Sequence, residues 1–149
     1  ALAPLCRRHI EACAKIGIGI YLTQTLRERE VQQALWMKGR DNAGNITIPS
    51  QVVTHARPGW SWHEYGLAYD VALQTPHGTI TWNDVDMNKD TIRDWTQVGI
   101  EGEKLGLSWG GRWKKLRDMP HFELTGGLSI GVVARAGMLP PGWPKGATA

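Results

Sequence analysis

The stretch Ser61-Trp62-His63-Glu64-Tyr65-Gly66-Leu67-Ala68-Tyr69-Asp70 combines a β-strand signal with two side chains that an unbroken strand would hold apart. From Gly66 to Leu73 the residues favour a strand, and Thr75-Pro76-His77-Gly78 turns the chain back into a short partner over residues 79–82. His63 and Asp70 are seven positions apart, so on a regular strand they point to opposite faces. They share a site only if the alternation breaks between them. Gly66 lies in that gap and tolerates the turn or bulge that would do so.

On the N-terminal side, the apolar spacing of Leu5, Ile10, Cys13 and Ala14, with Pro4 in the opening turn, predicts a helix to about Lys15. Ile18, Ile20 and Leu22 alternate with Tyr21, Thr23 and Thr25 as in a half-buried strand. A second helix is expected from about Glu28 to Lys38, closed by Gly39 and followed by a turn-rich loop over 42–45. On the C-terminal side, Asp90 is placed as the N-cap of a third helix marked by Ile92, Trp95, Val98 and Leu105 and ended by Gly106. A last strand should run from His121 to Leu124. Helices and strands mix without a βαβ rhythm, so the expected class is α+β, a small, mostly antiparallel sheet with flanking helices. Residues 1–125 form the expected domain. The Gly/Pro-rich segment 126–149 reads as a tail of that domain or a linker.

The chain has 149 residues, a size suited to one domain with one core. No apolar run is long enough to span a bilayer. The net charge of +3 comes from scattered Lys and Arg rather than a stripe, which argues against nucleic acid and fits a mildly anionic partner such as a cell-wall polymer. Cys6 and Cys13 fall on one face of the first helix, about 10 Å apart along its axis. That separation rules out a disulfide and leaves two small apolar core residues. The chain begins at Ala1 without a signal-peptide pattern, so no export route can be read from it. A monomer is the default expectation.

Asp118-Met119-Pro120-His121-Phe122-Glu123 supplies what the first stretch lacks. A catalytic zinc site uses three protein ligands from His, Asp and Glu and leaves a fourth position for water. His63, Asp70 and His121 meet that count for one ion. Asp118, three residues before the third ligand across a turn closed by Pro120, stands where a general base would take a proton from that water. Glu123, two residues beyond His121 on the same strand face, is placed to orient it.

These residues resemble the peptidoglycan peptidases that include D-alanyl-D-alanine carboxypeptidases and the L-alanyl-D-glutamate endopeptidases of phages and bacilli. The pattern Ser-x-His-x-x-Gly-x-Ala-x-Asp is filled by Ser61, His63, Gly66, Ala68 and Asp70, and the later acidic residue and His by Asp118 and His121. The likeness extends over residues 23–40, with Arg27, Gln32, Leu35, Gly39 and Arg40 in register, and over Val52-Val53-Thr54, Pro58 and Gly59. Trp109-Gly110-Gly111, Trp113 and the Asp118 to Phe122 run are similar to the endopeptidase branch, whose base is Asp. So are Gly127-Leu128-Ser129 and Arg135-Ala136-Gly137.

The resemblance implies a hedgehog-like metallopeptidase fold, a zinc cofactor, peptidoglycan stem peptides as substrate and action at the cell wall as an endolysin or autolysin. It also implies that Arg27 binds substrate or stabilises an oxyanion, with Gln32 and Ser61 lining the same pocket. Three functions compete: cleavage between L-Ala and D-Glu, trimming of a terminal D-Ala, and non-catalytic zinc-dependent binding as in the hedgehog signalling domain. The presence of Asp118 and Arg27 favours the enzymes.

Two other features carry less. Asp84, Asp86, Asn88 and Asp90 alternate like a calcium loop, but Lys89 and Trp95 occupy the two most constrained positions of that template, so calcium is disfavoured. Of the eight Trp residues, Trp60, Trp62, Trp109 and Trp113 are the ones placed to wall a cleft. His9, His55 and His77 have no partner at ligand spacing and are expected on the surface or on a helix.

Overall fold

The computed structural model describes residues 2–143. Helix α1 (Leu2–Lys15) leads through a turn at Gly17 into strand β1 (Gly19–Gln24), followed by helix α2 (Arg29–Met37). Strand β2 (Ala68–Gln74) turns into the short β3 (Ile80–Thr81). Helix α3 (Asp94–Lys104), strands β4 (Ser108–Trp109) and β5 (His121–Glu123) and helix α4 (Ile130–Ala136) complete the described chain. The sheet is antiparallel in the order β1-β2-β5-β4, with β3 paired to the far end of β2.

Strand register separates core from cleft. Tyr69, Phe122 and Trp109 lie opposite one another on three neighbouring strands and stack at 5.7 and 6.5 Å between ring centroids. This aromatic row faces the helices, and α3 comes so close that a Cβ on Gly99 would meet Trp109 at 2.3 Å and one on Gly102 would meet Phe122 at 2.6 Å. One step along the pleat, the next row reverses face: Gln24, Asp70 and His121 are paired across β1, β2 and β5. The row exists because β1 carries one extra residue between Leu22 and Gln24, a bulge that puts Gln24 rather than Thr23 opposite Asp70.

Several elements differ from the sequence expectation. Asp90 does not cap α3, which starts four residues later behind Arg93. The Asp90 carboxylate instead accepts the N–H of Ile92 (2.9 Å) and a side-chain bond from Gln97 (2.6 Å), which keeps Ile92 outside the helix and exposed. His9 is on a helix as expected but fully buried: Nε2–H donates to the Val98 carbonyl and Nδ1 accepts from the Tyr69 hydroxyl, both at 2.8 Å. Burial lowers its pKa, which keeps the imidazole neutral. Segment 126–143 folds a further helix, α4, capped by the Ser129 hydroxyl and by Gly137 in the left-handed conformation, and Val133 is fully buried. Residues 144–149 of the expected tail lie outside the described residues. Cys6 and Cys13 are buried and unpaired, and burial pushes the Cys13 thiol up to about 12.

Candidate metal centre and catalytic cleft

His63 arrives on a 3-10 turn, Trp62–Tyr65, rather than on the strand. Gly66 ends that turn at φ +67°, a left-handed conformation that glycine takes without the steric penalty of a Cβ. The chain then enters β2, so the break in alternation lies at the glycine between the two candidate ligands. The turn is anchored from below by Glu64, whose carboxylate accepts the Gly59 N–H (2.8 Å) and the Ser61 N–H (3.2 Å), while the Tyr65 hydroxyl donates to the Gly59 carbonyl (2.8 Å). Asp70 and His121 are directly opposed on β2 and β5.

Three donor atoms converge. His63 Nε2, Asp70 Oδ1 and His121 Nδ1 all lie within 4.8 Å of one another, with His63–His121 and His63–Asp70 at 3.3 Å and His121–Asp70 at 3.0 Å. Tetrahedral bonds of 2.0–2.1 Å place neighbouring zinc ligands about 3.3 Å apart, so the spacing fits such an ion. The outward nitrogens are occupied as a metal site requires. His63 Nδ1–H donates to the Thr25 carbonyl (2.7 Å) and His121 Nε2–H to the Glu123 carboxylate (2.9 Å), so the inward nitrogens are the ones that would present lone pairs to an ion once any proton on them has left.

Without an ion, the site balances its charge internally. Burial lowers the pKa of His121, but the hydrogen bonds to Asp70 and Glu123 outweigh it and push the imidazole up to about 9. Burial likewise raises the Asp70 pKa, and the two histidines outweigh it, holding the carboxyl well below its usual range.

Arg27 stands beside this group, with one terminal nitrogen donating to Gln32 Oε1 (2.7 Å) and the other to Gln24, the latter 3.7 Å from Asp70 Oδ2. Gln32 is fully buried, and its amide nitrogen donates to the Ala56 carbonyl (2.7 Å). It therefore holds Arg27 and does not face the pocket. Ser61 is nearly buried but does line the cleft.

Asp118 lies on the cleft wall, where desolvation and the Asp70 charge raise its pKa against the pull of the histidines and Arg27. Its backbone is fixed: Gly110 accepts the Asp118 N–H (3.1 Å), and the Asp118 carbonyl accepts the His121 N–H (3.3 Å). A Cβ at position 110 would sit 2.4 Å from that carbonyl, so only glycine fits there.

The cleft has a volume of about 780 Å³ and includes the metal-site residues, Trp60, Trp62, Trp113 and the loop segment 52–56. Trp113 leans on His121 at 5.2 Å between ring centroids. Trp109, grouped with these by sequence, is core instead, its indole N–H held by the Met119 carbonyl (2.8 Å).

This arrangement, one His on a turn and an Asp and a His on neighbouring strands, beside a carboxylate and a guanidinium, is that of a metallopeptidase class, and sequence comparison places the chain within it. A family model described as D-alanyl-D-alanine carboxypeptidase matches residues 54–124. The chain is 38% identical over 128 residues to the peptidoglycan L-alanyl-D-glutamate endopeptidase CwlK of Bacillus subtilis (strain 168), covering 83% of this chain and 73% of CwlK. The protein belongs to this family of zinc peptidases.

Two solved structures share the fold. The Serratia marcescens L-Ala D-Glu endopeptidase ChiX superposes with a TM-score of 0.53 at 23% identity over 83% of this chain and 80% of that one. The vancomycin-resistance D,D-pentapeptidase VanY, solved in complex with Zn(II), gives 0.58 at 16% identity over 92% and 78%. The expected α+β fold with an antiparallel sheet is the fold observed. No described helix is long and apolar enough to cross a membrane.

Proposed function

We propose that this protein hydrolyses the L-alanyl-D-glutamate bond of peptidoglycan stem peptides, with His63, Asp70 and His121 holding one zinc ion and Asp118 as general base. The observation that carries the reading is the 38% identity to CwlK over most of the chain. Complete convergence of the three donor atoms supports it. When bound, zinc supplies Lewis acidity to the scissile carbonyl and the attacking water.

The protein's own groups do the rest. Asp118, whose pKa desolvation and the Asp70 charge raise above the usual carboxylate value, accepts a proton from the attacking water and returns it to the leaving amine. Arg27, clamped by Gln32 and Gln24, offers fixed N–H donors to the charge that develops on the carbonyl oxygen, and its buried Nε has no acceptor among the described residues. The cleft rim is open, with Val53, Trp60 and Leu116 exposed, which suits an internal peptide bond better than a terminal residue. The substrate places the site of action at the cell wall.

Purified stem peptides incubated with the zinc-loaded protein, with products identified by mass spectrometry, test the reading. Release of a fragment with a free D-Glu amine, absent with Asp118→Ala, is the expected result. Loss of a terminal D-Ala alone would instead make the protein a carboxypeptidase.

A further inference from the structure

The loop between Trp113 and Asp118 enters the cleft with a charge that the chemistry so far does not use. Both ends are pinned at one point: the Gly110 carbonyl accepts the N–H of Trp113 and of Asp118, each at 3.1 Å. Between those pins Leu116 takes φ +51°, turning the loop so that Lys115, Leu116 and Arg117 all line the cleft. Lys115 and Arg117 are exposed, and among the described residues neither has a carboxylate within 4.0 Å. The nearby Arg112 is different, being spent on a two-pronged pair with Glu103 at 2.9 Å outside the cleft.

The charges lining the cleft show what these two cations lack. Its carboxylates are Asp70, Asp118 and Glu123, and its fixed cations are Arg27, Lys115 and Arg117. Asp70 and Glu123 are engaged with the histidines, and Arg27 with Asp70. Lys115 and Arg117 are left over, facing a site that would gain further positive charge from a divalent ion.

We infer that Lys115 and Arg117 form a subsite for the free carboxylate of the residue on the leaving side of the scissile bond. The inference rests on the endopeptidase reading. In an L-Ala–D-Glu link the D-Glu amine is the leaving group, and at most one of its two carboxyls continues the chain, so the other stands free a few bonds from the scissile nitrogen. The leaving amine must approach Asp118 to collect its proton. Arg117 is the residue next to Asp118 and Lys115 is two further back on the same pinned loop, so that carboxylate comes to the two cations. Arg117 can meet it with a planar fork of donors and Lys115 as a point charge. The subsite makes the enzyme selective for acidic over amidated stem peptides.

The test pairs two peptides, L-Ala-D-Glu extended by one residue and the same peptide with the free carboxyl amidated. Calorimetric binding to zinc-loaded Asp118→Asn protein should favour the acid about tenfold. Adding Lys115→Gln and Arg117→Gln should abolish that preference without weakening binding of the amide, and Lys114→Gln, outside the cleft, should change neither. In the active enzyme the double variant should raise KM for the acid about tenfold and leave kcat unchanged. Equal affinity of the unmodified loop for both peptides, or an equal loss on both in the double variant, overturns the subsite. If the active enzyme cuts neither peptide, the endopeptidase reading fails, while the binding arm still decides whether the carboxylate subsite exists.

Discussion

The protein carries two clusters of carboxylates, and they have opposite fates. Around β2 and β5, Asp70 and Glu123 direct their oxygens to imidazole nitrogens, and the remaining lone pairs of His63, Asp70 and His121 meet at one point. In the 84–94 loop the oxygens of Asp86, Asp90 and Asp94 are taken by local N–H donors instead: Asp86 accepts from the Asp90 and Thr91 backbone, Asp90 from the Ile92 backbone and the Gln97 amide, and Asp94 from the Met87 backbone. Asp94 is fully buried, and burial with the neighbouring Asp charges raises its pKa. Among the described residues only the first cluster groups three ligand atoms for a metal. The loop holds more carboxylates, four Asp against Asp70 and Glu123, so a count of acidic residues would pick the wrong cluster. What distinguishes a metal centre is where the lone pairs point after the backbone has been satisfied.

The sharpest way to break this contrast is to remove one atom from the point of convergence. His121→Ala should abolish retention of zinc through gel filtration and all peptide cleavage, because two donors do not make a catalytic zinc site. Asp118→Asn should separate binding from chemistry: zinc content by metal analysis stays at one per chain while kcat falls about 10²–10⁴-fold. A loss of zinc in Asp118→Asn would mean that Asp118 is a ligand rather than the base.

Proton competition sharpens the comparison from another side. In the metal-free protein His121 keeps its proton up to about pH 9, since its pKa is raised, and that proton must leave before Nδ1 can bind an ion. Apparent zinc affinity should therefore rise with pH, by about tenfold per unit between pH 6 and 8 if one proton is displaced. Glu123→Gln leaves a weaker acceptor for the His121 Nε2–H and should lower zinc affinity about 10–100-fold above about pH 9, where no proton competes, and by less at neutral pH, because losing the Glu123 charge also lowers the His121 pKa and eases proton competition. Competition with a chromophoric chelator reads both effects, and a flat pH response would show that His121 is neutral before the ion arrives.

How much of this was legible in the sequence depends on the distance over which each feature is decided. The turn at Gly66 and the opening of β5 at His121 follow from local chemistry, a glycine in the gap and a strand start behind Pro120, and the structure gathers the three ligand candidates as that spacing required. Features decided by distant partners were not legible. His9 carries no local sign of burial, because its partners Tyr69 and Val98 lie 60 and 89 residues away. Gln32 was expected to line the pocket, but its contact with the Ala56 carbonyl, 24 residues on, turns it inward to brace Arg27. The bulge in β1 shows only once Gln24 is seen opposite Asp70. For α4 the signals were present, with Ser129 and Gly137 as caps around Ile130 and Val133, but the surrounding Gly and Pro content masked them. The misplaced start of α3 had a local cause: an Asp four positions early whose oxygen reaches the N–H two residues on, a turn that competes with a helix cap for the same side chain.

That local competition gives the smallest effect and the cleanest control. Asp86 accepts the N–H groups of Asp90 (3.2 Å) and Thr91 (3.0 Å), and Thr91 holds φ +75°, a conformation a β-branched residue rarely adopts unless its surroundings enforce it. Asp86→Ala removes both acceptors and should cost about 1–2 kcal/mol of stability, one net hydrogen bond each, read as a lower urea midpoint with an unchanged m-value. Zinc affinity and kcat/KM should not move, because the bonds of Asp86 go to its own loop and none reaches β2 or β5. If Asp86→Ala instead weakens cleavage while the fold stays intact, the acidic loop is coupled to the cleft, and its carboxylates do more than satisfy the backbone.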